Sequence, residues 1–509
     1  MHTHRRFDLV VGASFLVGGL LFIVSATLSP FSFEFRFVDA AGIVDALRLK
    51  PSSLLDFPRN IILFFPFGFG LASLLAGCGF PVRLTFLLVV LGSLISTVSV
   101  ETLQLFLPGR VPNLSDVLAN SFGGATGGIV FQWWRMRKRW LPAVRRKASS
   151  RNVFFLAGVY YLTALLLAAA LLLGFRPAGW DLGYPLVLGN EPSKDRPWTG
   201  NIRNLVFLDR AVNDAVASQM LRGDVPSILR HAVIADYPLT VDVGGREKHG
   251  RLPDLVAPVR GHSNGFNSGG AIIRDGSCLA TEAAAELIAG RINSNAQFTV
   301  ALTLAPSQLA QSGPSRIVTI SQNPFRRNLT LGQEGASLVL RWRSPLTGKN
   351  GATFELQFPG IFVSTQAQRL ILSDNGRKVS LFTSNGLHNE ILLRPEAGVV
   401  ALFHEGANFA VTAGRGSFWK SALIVATIVF LPLGFLLQTA AGQWPRAWAS
   451  GTTVSTILVL TIIWEGSIAA FRIEDVQWTT VVFSIAAALV GVFLGSCCSR
   501  WSLRELVSA

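Results

Sequence analysis

Residues 100–128 read VETLQLFLPGRVPNLSDVLANSFGGATGG. Two helical stripes are written into this stretch and the residues just before it. Ser93, Thr97, Glu101 and Gln104 recur at helical spacing, so they line one face of an otherwise apolar helix. Asp116, Asn120, Gly124 and Gly128 do the same on the next helix. Gly123, Gly124, Gly127 and Gly128 form two overlapping G-x-x-x-G pairs, which let a neighbouring helix approach closely. Arg110 lies between the two helices. Ionisable residues inside apolar helices are costly and point to function. Glu101 and Asp116 are therefore the candidate acid or base groups.

Upstream, NIILFFPFGFG at residues 60–70 opens another apolar run on Asn60. Pro66 inside it is expected to kink the helix and free carbonyls that neighbours must satisfy. A bilayer crossing takes about 20 apolar residues. Roughly eight such runs occur, near residues 7–28, 60–78, 83–106, 114–134, 152–175, 417–438, 447–471 and 478–498. The whole chain agrees: of 509 residues 50% are hydrophobic and 15% charged, with mean hydropathy +0.44, against about 25% charge in average proteins. The first run follows MHTHRRF and is read as a retained span rather than a cleaved signal.

The net charge of +15 does not indicate a nucleic-acid partner. Nucleic-acid binders gather Lys and Arg on one folded face. Here the densest cluster, Arg135, Arg137, Lys138, Arg139, Arg145, Arg146, Lys147 and Arg151, lies between two apolar runs, as in a cytoplasmic loop. With His4-Arg5-Arg6 also inside, the short loop at Trp444-Pro445-Arg446 and the C-terminal SRWSLRELVSA fall on the same side. Residues 176–415 then fall outside. The four cysteines, Cys78, Cys278, Cys497 and Cys498, show no metal spacing and give the outer region no disulfide framework. No metal or other cofactor is implied.

The outer region has mixed charges and short alternating runs: FTVALTL, RIVTISQ, SLVLRWR, TFELQF, QRLILS and KVSLFTS. Period-two alternation, with a turn at Asp374-Asn375-Gly376, predicts an antiparallel β-sandwich. One helix-like stretch, TEAAAELIAGRI, interrupts it near 281–292.

The apolar runs also repeat. Leu63-Phe64-Phe65-Pro66-Phe67-Gly68-Phe69 is matched by Val429-Phe430-Leu431-Pro432-Leu433-Gly434-Phe435. Glu101 is matched by Glu465, and each is followed by Phe and Arg (Phe106 and Arg110; Phe471 and Arg472). This predicts two four-span units in the same orientation, the outer domain being inserted between the first two spans of the second. Near the counterparts of Asp116 and Asn120 the second unit reads Thr479, Thr480 and Phe483, so it is expected to be a degenerate copy. In the first unit Asn60, Glu101, Gln104, Arg110, Asp116 and Asn120 are expected to line a polar pocket in the outer third of the membrane. The competing expectation is a structural ion-pair network of Glu101 or Asp116 with Arg110.

NIILFFPFGFG followed by residues 100–128 resembles the VanZ-like family of bacterial membrane proteins. Its pattern is present as Asn60, Pro66, Gly68, Glu101, Gln104, Arg110, Asp116, Asn120 and Gly123, over roughly residues 10–134; the 417–498 segment matches weakly. The resemblance implies a bacterial inner-membrane location and a link to glycopeptide antibiotic resistance; the basic segments put both termini on the cytoplasmic side. The outer region resembles a concanavalin A-like, laminin-G-type jelly roll. LGNEPSKDRPWTGNIRNLVFLDRAV is similar to that fold's Trp-x-Gly stretch, with Leu208-Asp209-Arg210 at its end, and QRLILSDNGRKVSLFTSNG to its central hairpin. The fold class implied is a polytopic α-helical membrane protein of two VanZ-like units plus a concanavalin A-like domain. The domains run 1–134, a basic loop 135–151, a fifth span 152–175, the sandwich 176–415 and three spans 416–509.

Two functions compete. In one, the sandwich binds an envelope glycan or protein, with Trp198, Trp342 and Phe325 as aromatic platforms. For Trp342, in the alternating LVLRWRS, core burial is the stronger expectation. In the other, the membrane part is an enzyme or transporter of a lipid-linked envelope precursor, Glu101 or Asp116 acting as base or proton carrier and Arg110 holding a phosphate. The sandwich itself is not read as a glycosidase, because no Glu-x-Asp-x-x-Glu run occurs between 176 and 415. Binding is favoured over enzymatic activity.

Overall fold

The computed structural model describes residues 2–28, 33, 56–107, 113–140, 150–223, 225–257, 265–274, 276–311, 313–352, 354–384, 386–403, 410–412, 419–441, 446–472 and 477–507. The chain divides into two compact units. One comprises Met1–Ala168, Phe403–Gly406 and Phe418–Ala509, the other Ala169–Leu402 and Ala407–Ser417.

The helical unit contains α1 (His2–Leu28), α2 (Asp56–Cys78), α3 (Val82–Gln104), α4 (Leu114–Trp140) and most of α5 (Ser150–Gly174). All eight apolar runs lie in helices once the three later ones are counted. Among the described residues six segments are long and apolar enough to cross a membrane: Phe57–Cys78, Val82–Gln104, Val153–Gly174, Ala422–Ala441, Gly451–Ala470 and Trp478–Ser496. The eight expected spans are thus met by six on this criterion. In α1 the shorter stretch Phe15–Leu28 is apolar, and α4 carries Asp116, Asn120, four glycines and a basic end that lower its hydropathy.

Helices α1 to α4 run up and down. Near one end Ser73 Oγ donates to the Asp8 carbonyl at 2.7 Å, and Arg135 meets the Asp8 carboxylate at 3.7 Å. This places the starts of α1 and the ends of α2 and α4 at one level. Pro66 sits inside a continuous α2. Glycine lets the backbones touch: a Cβ on Gly123 would lie 2.6 Å from the Ile61 carbonyl oxygen, and one on Gly128 3.0 Å from Val89 Cγ1. The two overlapping glycine pairs therefore face different helices, Gly123 and Gly127 seating α2 while Gly124 and Gly128 seat α3.

The β unit takes the last turn of α5. Its strands and helices follow in chain order as β1 (Leu186–Leu188), β2 (Gly200–Leu208), α6 (Asp214–Leu221), β3 (Val233–Tyr237), β4 (Leu255–Val256), β5 (Phe266–Asn267), β6 (Gly270–Ile273) and β7 (Leu279–Thr281). Next come α7 (Glu286–Asn295), β8 (Phe298–Pro306), β9 (Ser315–Asn323), β10 (Arg326–Glu334), β11 (Ser337–Trp342) and β12 (Glu355–Phe358). The last are β13 (Gln368–Asp374), β14 (Lys378–Thr383), β15 (Gly386–Leu392), α8 (Pro395–Phe403) and β16 (Ala410–Thr412). One sheet is ordered β16-β12-β11-β10-β9-β1-β7-β4; the other is β15-β14-β13-β8-β2-β6-β5, with β3 beside β2. Pairing is antiparallel except between β12 and β16. This arrangement is consistent with a β-sandwich. All six alternating runs form strands, and Asp374-Asn375-Gly376 forms the β13–β14 turn with Gly376 at φ +72°. The interrupting helix is α7, a few residues later than read from sequence.

Alternation predicts one wet face, yet β9, β10 and β11 are buried on both. The guanidinium groups of Arg316, Arg327 and Arg341 on these strands are covered and paired. Glu191 Oε1 accepts from Arg316 Nε at 3.1 Å and Oε2 from Arg327 Nε at 3.2 Å, while Arg341 pairs with Glu355. Burial and the neighbouring Arg327 push the Arg316 guanidinium down to about 10. Removing one member of such a buried set leaves a charge uncompensated, so the cluster clamps the 189–198 loop onto the sheet.

The three remaining helices are α9 (Trp419–Ala441), α10 (Arg446–Arg472) and α11 (Trp478–Val507). Pro432 inside α9 has no N–H for the carbonyl four residues earlier, that of Ile428. Tyr160 Oη of α5 donates to this carbonyl, and Tyr161 Oη donates to the Leu460 carbonyl at 2.6 Å.

Candidate functional site

At the end of α1–α4 remote from the Asp8–Arg135 pair, every one of the four helices contributes a polar group. α4 begins at Asn113, whose side-chain Oδ1 accepts from Ser115 N at 3.1 Å while its carbonyl accepts from Asp116 N at 3.0 Å. This start puts Asp116 in the first helical turn, where a carboxylate is favoured by the exposed N–H groups. Asp116 Oδ1 accepts from Asn60 Nδ2 of α2 at 3.1 Å and from Ser115 Oγ at 3.4 Å. Asn60 reaches it because Gly123 lets α4 lie against the α2 backbone at Ile61, one residue away.

One turn deeper, Asn120 Nδ2 donates to Thr97 Oγ1 of α3 at 2.9 Å. The other amide atom, Asn120 Oδ1, is buried with no hydrogen-bond partner among the described residues. Glu101 Oε2 accepts from the Asn113 backbone N–H at 3.1 Å, tying the end of α3 to the start of α4. Gln104 Nε2 donates to the Thr27 carbonyl of α1 at 3.2 Å. Asn60, Thr97, Glu101, Gln104, Asn113, Asp116 and Asn120 are all buried.

The structure therefore gathers Asn60, Glu101, Gln104, Asp116 and Asn120 at one level. Arg110, the expected cation, lies outside the described residues. Two contributors are additional. Asn113 has a visible signal, since Asn before Leu-Ser-Asp is a helix N-cap pattern. Thr27 has none, because only its backbone carbonyl takes part.

The second set of helices carries the same contacts with different residues. A Cβ on Gly127 would lie 2.7 Å from Phe69 N, and one on Gly491 2.9 Å from Phe435 N. Gly68 approaches Gly124 as Gly434 approaches Ala488. The helix starts also agree: Asp116 N and Val117 N bond the Asn113 carbonyl, and Thr480 N and Val481 N bond the Gln477 carbonyl. This register sets Thr480 opposite Asp116 and Ser484, not Phe483, opposite Asn120. Thr461 stands opposite Thr97, and Ala426 opposite Asn60. Thr461, Glu465, Thr480 and Ser484 are buried, so the second set keeps part of the polarity but not the Asn–Asp pair. Beside Glu465, Trp464 packs edge-on against Phe430 with ring centroids 5.8 Å apart.

In the β unit, Trp198 and Trp342 are each 0% exposed: Trp342 lies in the core, as its place in an alternating strand led us to expect, and the burial of Trp198 corrects its reading as a binding platform. Trp198 Nε1 donates to Gln333 Oε1 at 2.8 Å, and Trp342 Nε1 to the Phe175 carbonyl at 3.0 Å. A satisfied, enclosed indole offers no face to a sugar. Phe325, on the tip of the β9–β10 hairpin, is 78% exposed.

Long apolar helices and a separate β unit define the class, a multi-pass membrane protein with one β-rich domain. Residues 13–135 match the VanZ/LLP1 family model, a segment that holds the whole polar cluster. No curated protein and no solved structure matches the chain.

Proposed function

We propose that the polar cluster of α1–α4 receives the charged head of a lipid-linked envelope precursor at the outer face of the cytoplasmic membrane. The observation that carries this reading is the meeting of four helices' polar groups at one level, with Asn120 Oδ1 buried and without a hydrogen-bond partner among the described residues. Buried polar atoms are nearly always paired, so an orphan acceptor beside two carboxyl groups is a place for a guest's donor. The distribution of basic loops supports an outward orientation of this end. Asp116 and Glu101 would exchange a proton with the guest, and Arg110 would hold a phosphate. In cells the expected consequence is an altered response to envelope stress such as a glycopeptide antibiotic.

Complementation of a deletion strain tests this. Glu101→Gln and Arg110→Ala should leave membrane abundance intact while abolishing growth under glycopeptide. If both variants fail to accumulate, the cluster is a scaffold and the proposal is wrong. The glycan-binding reading retains only Phe325 of its three aromatic candidates. Glycan-array binding by the full chain, lost on Phe325→Ala, would restore it.

A further inference from the structure

The span Val153–Gly174 does not stop short of the β unit; its end is built into it. Leu346 N donates to the Gly174 carbonyl at 2.9 Å, and Ala178 N to the Arg343 carbonyl at 3.4 Å. The Phe175 ring lies 4.9 Å from that of Phe354, which packs edge-on against Trp342. The end of the sheets that holds Trp342 and Phe354 is therefore the end at which the chain leaves the membrane.

The β9–β10 hairpin projects from this same end. Arg327 N bonds the Lys349 carbonyl at 3.0 Å, and Arg343 N bonds the Asn328 carbonyl at 2.8 Å. The hairpin root is thus joined to the 343–351 loop that seats Gly174. Asn323 Oδ1 accepts from Phe325 N at 2.9 Å and fixes the tip. Phe325 is 78% exposed, and Arg326 and Lys349 beside it are exposed too. The opposite end of the sheet differs. There Ile361 N bonds the Ala336 carbonyl at 2.9 Å, and Val363 is 71% exposed in a loop, PGIFVSTQA at 359–367, that has no charged residue.

An exposed aromatic flanked by cations, at the level where a span ends, has the chemistry of an interfacial anchor: the ring enters the headgroup–acyl boundary and the cations meet anionic headgroups. We propose that the end of the β unit bearing Phe325, Arg326 and Lys349 rests on the bilayer the chain spans. Phe325 inserts and the two cations engage phosphate-bearing anionic lipids. The domain is then held against the membrane at two points, the α5 exit and the hairpin tip.

Photocrosslinking tests this with the full chain in nanodiscs of equal parts phosphatidylcholine and phosphatidylglycerol. p-Benzoylphenylalanine is placed in one preparation at position 325 and in another at position 363. Lipid adducts, read by mass spectrometry of the labelled peptide, are expected to be several-fold more abundant at 325. The double variant Arg326→Glu, Lys349→Glu should lower the yield at 325 without changing elution on size exclusion. Equal lipid labelling at both positions, or labelling of protein alone at 325, overturns the proposal. An unchanged yield in the double variant overturns the role given to the cations.

Discussion

The helical unit packs two sets of helices by one rule and fills them differently. In α2 and α4, and again in α9 and α11, a proline-bearing helix meets a small-residue face so closely that a carbonyl or amide of one backbone occupies the place of a Cβ on the other. The helices that follow Asn113 and Gln477 open with the same pair of backbone bonds, donated to the carbonyls of these two residues. Yet Asn60 and Asp116 face each other only in the first set, where Ala426 and Thr480 stand in the second. Packing alone therefore does not require the Asn–Asp pair. What the second set does without is the first set's best claim to chemistry.

The largest test of this comparison is steric. Gly127→Val and Gly491→Val should each destabilise the full chain by about 3 kcal/mol, because the new side chain meets backbone that cannot move aside. Thermal unfolding in detergent reads both, and a silent Gly491→Val would break the equivalence of the two sets. Next is the acid. Asp116→Ala strands the Asn60 carboxamide and should cost about 2 kcal/mol, whereas Thr480→Ala should cost less than about 1 kcal/mol. Equal losses would mean that the two positions do the same structural work. The smallest effect differs in sign. Thr97→Val removes the acceptor of Asn120 and should cost about 1 kcal/mol. Thr461 Oγ1 is buried with no partner among the described residues, so Thr461→Val should be neutral or slightly stabilising.

Much of this was legible in the sequence, for definite reasons. Membrane helices show themselves by unbroken apolar runs, and the i, i+4 spacing of Thr97 with Glu101 and of Asp116 with Asn120 put the right side chains on facing stripes. The repeat was visible in Pro66-x-Gly68 and Pro432-x-Gly434. Its register was not, because the glutamate follows the proline by 35 residues in the first set and by 33 in the second. Counting from the proline puts the counterpart of Asn120 at residue 486 and counting from the glutamate puts it at 484; the contacts of Gly491 and the bonds to Gln477 decide for Ser484. In the β unit, alternation located the strands but could not report burial. Trp198 and Trp342 look alike whether they face solvent or a glutamine side chain and a backbone carbonyl. The Glu191–Arg316–Arg327 cluster joins residues more than a hundred positions apart, with no local signal at either end.

The claim that the first set holds the site and the second is scaffold can be measured by mirrored substitution. Native mass spectrometry of the full chain with a polyprenyl phosphate as probe would compare wild type, Asn120→Ala and Ser484→Ala. Retention of the probe by wild type and Ser484→Ala, with loss in Asn120→Ala at undiminished folding, is the predicted result. No binding by wild type, or equal binding by all three proteins, would contradict it.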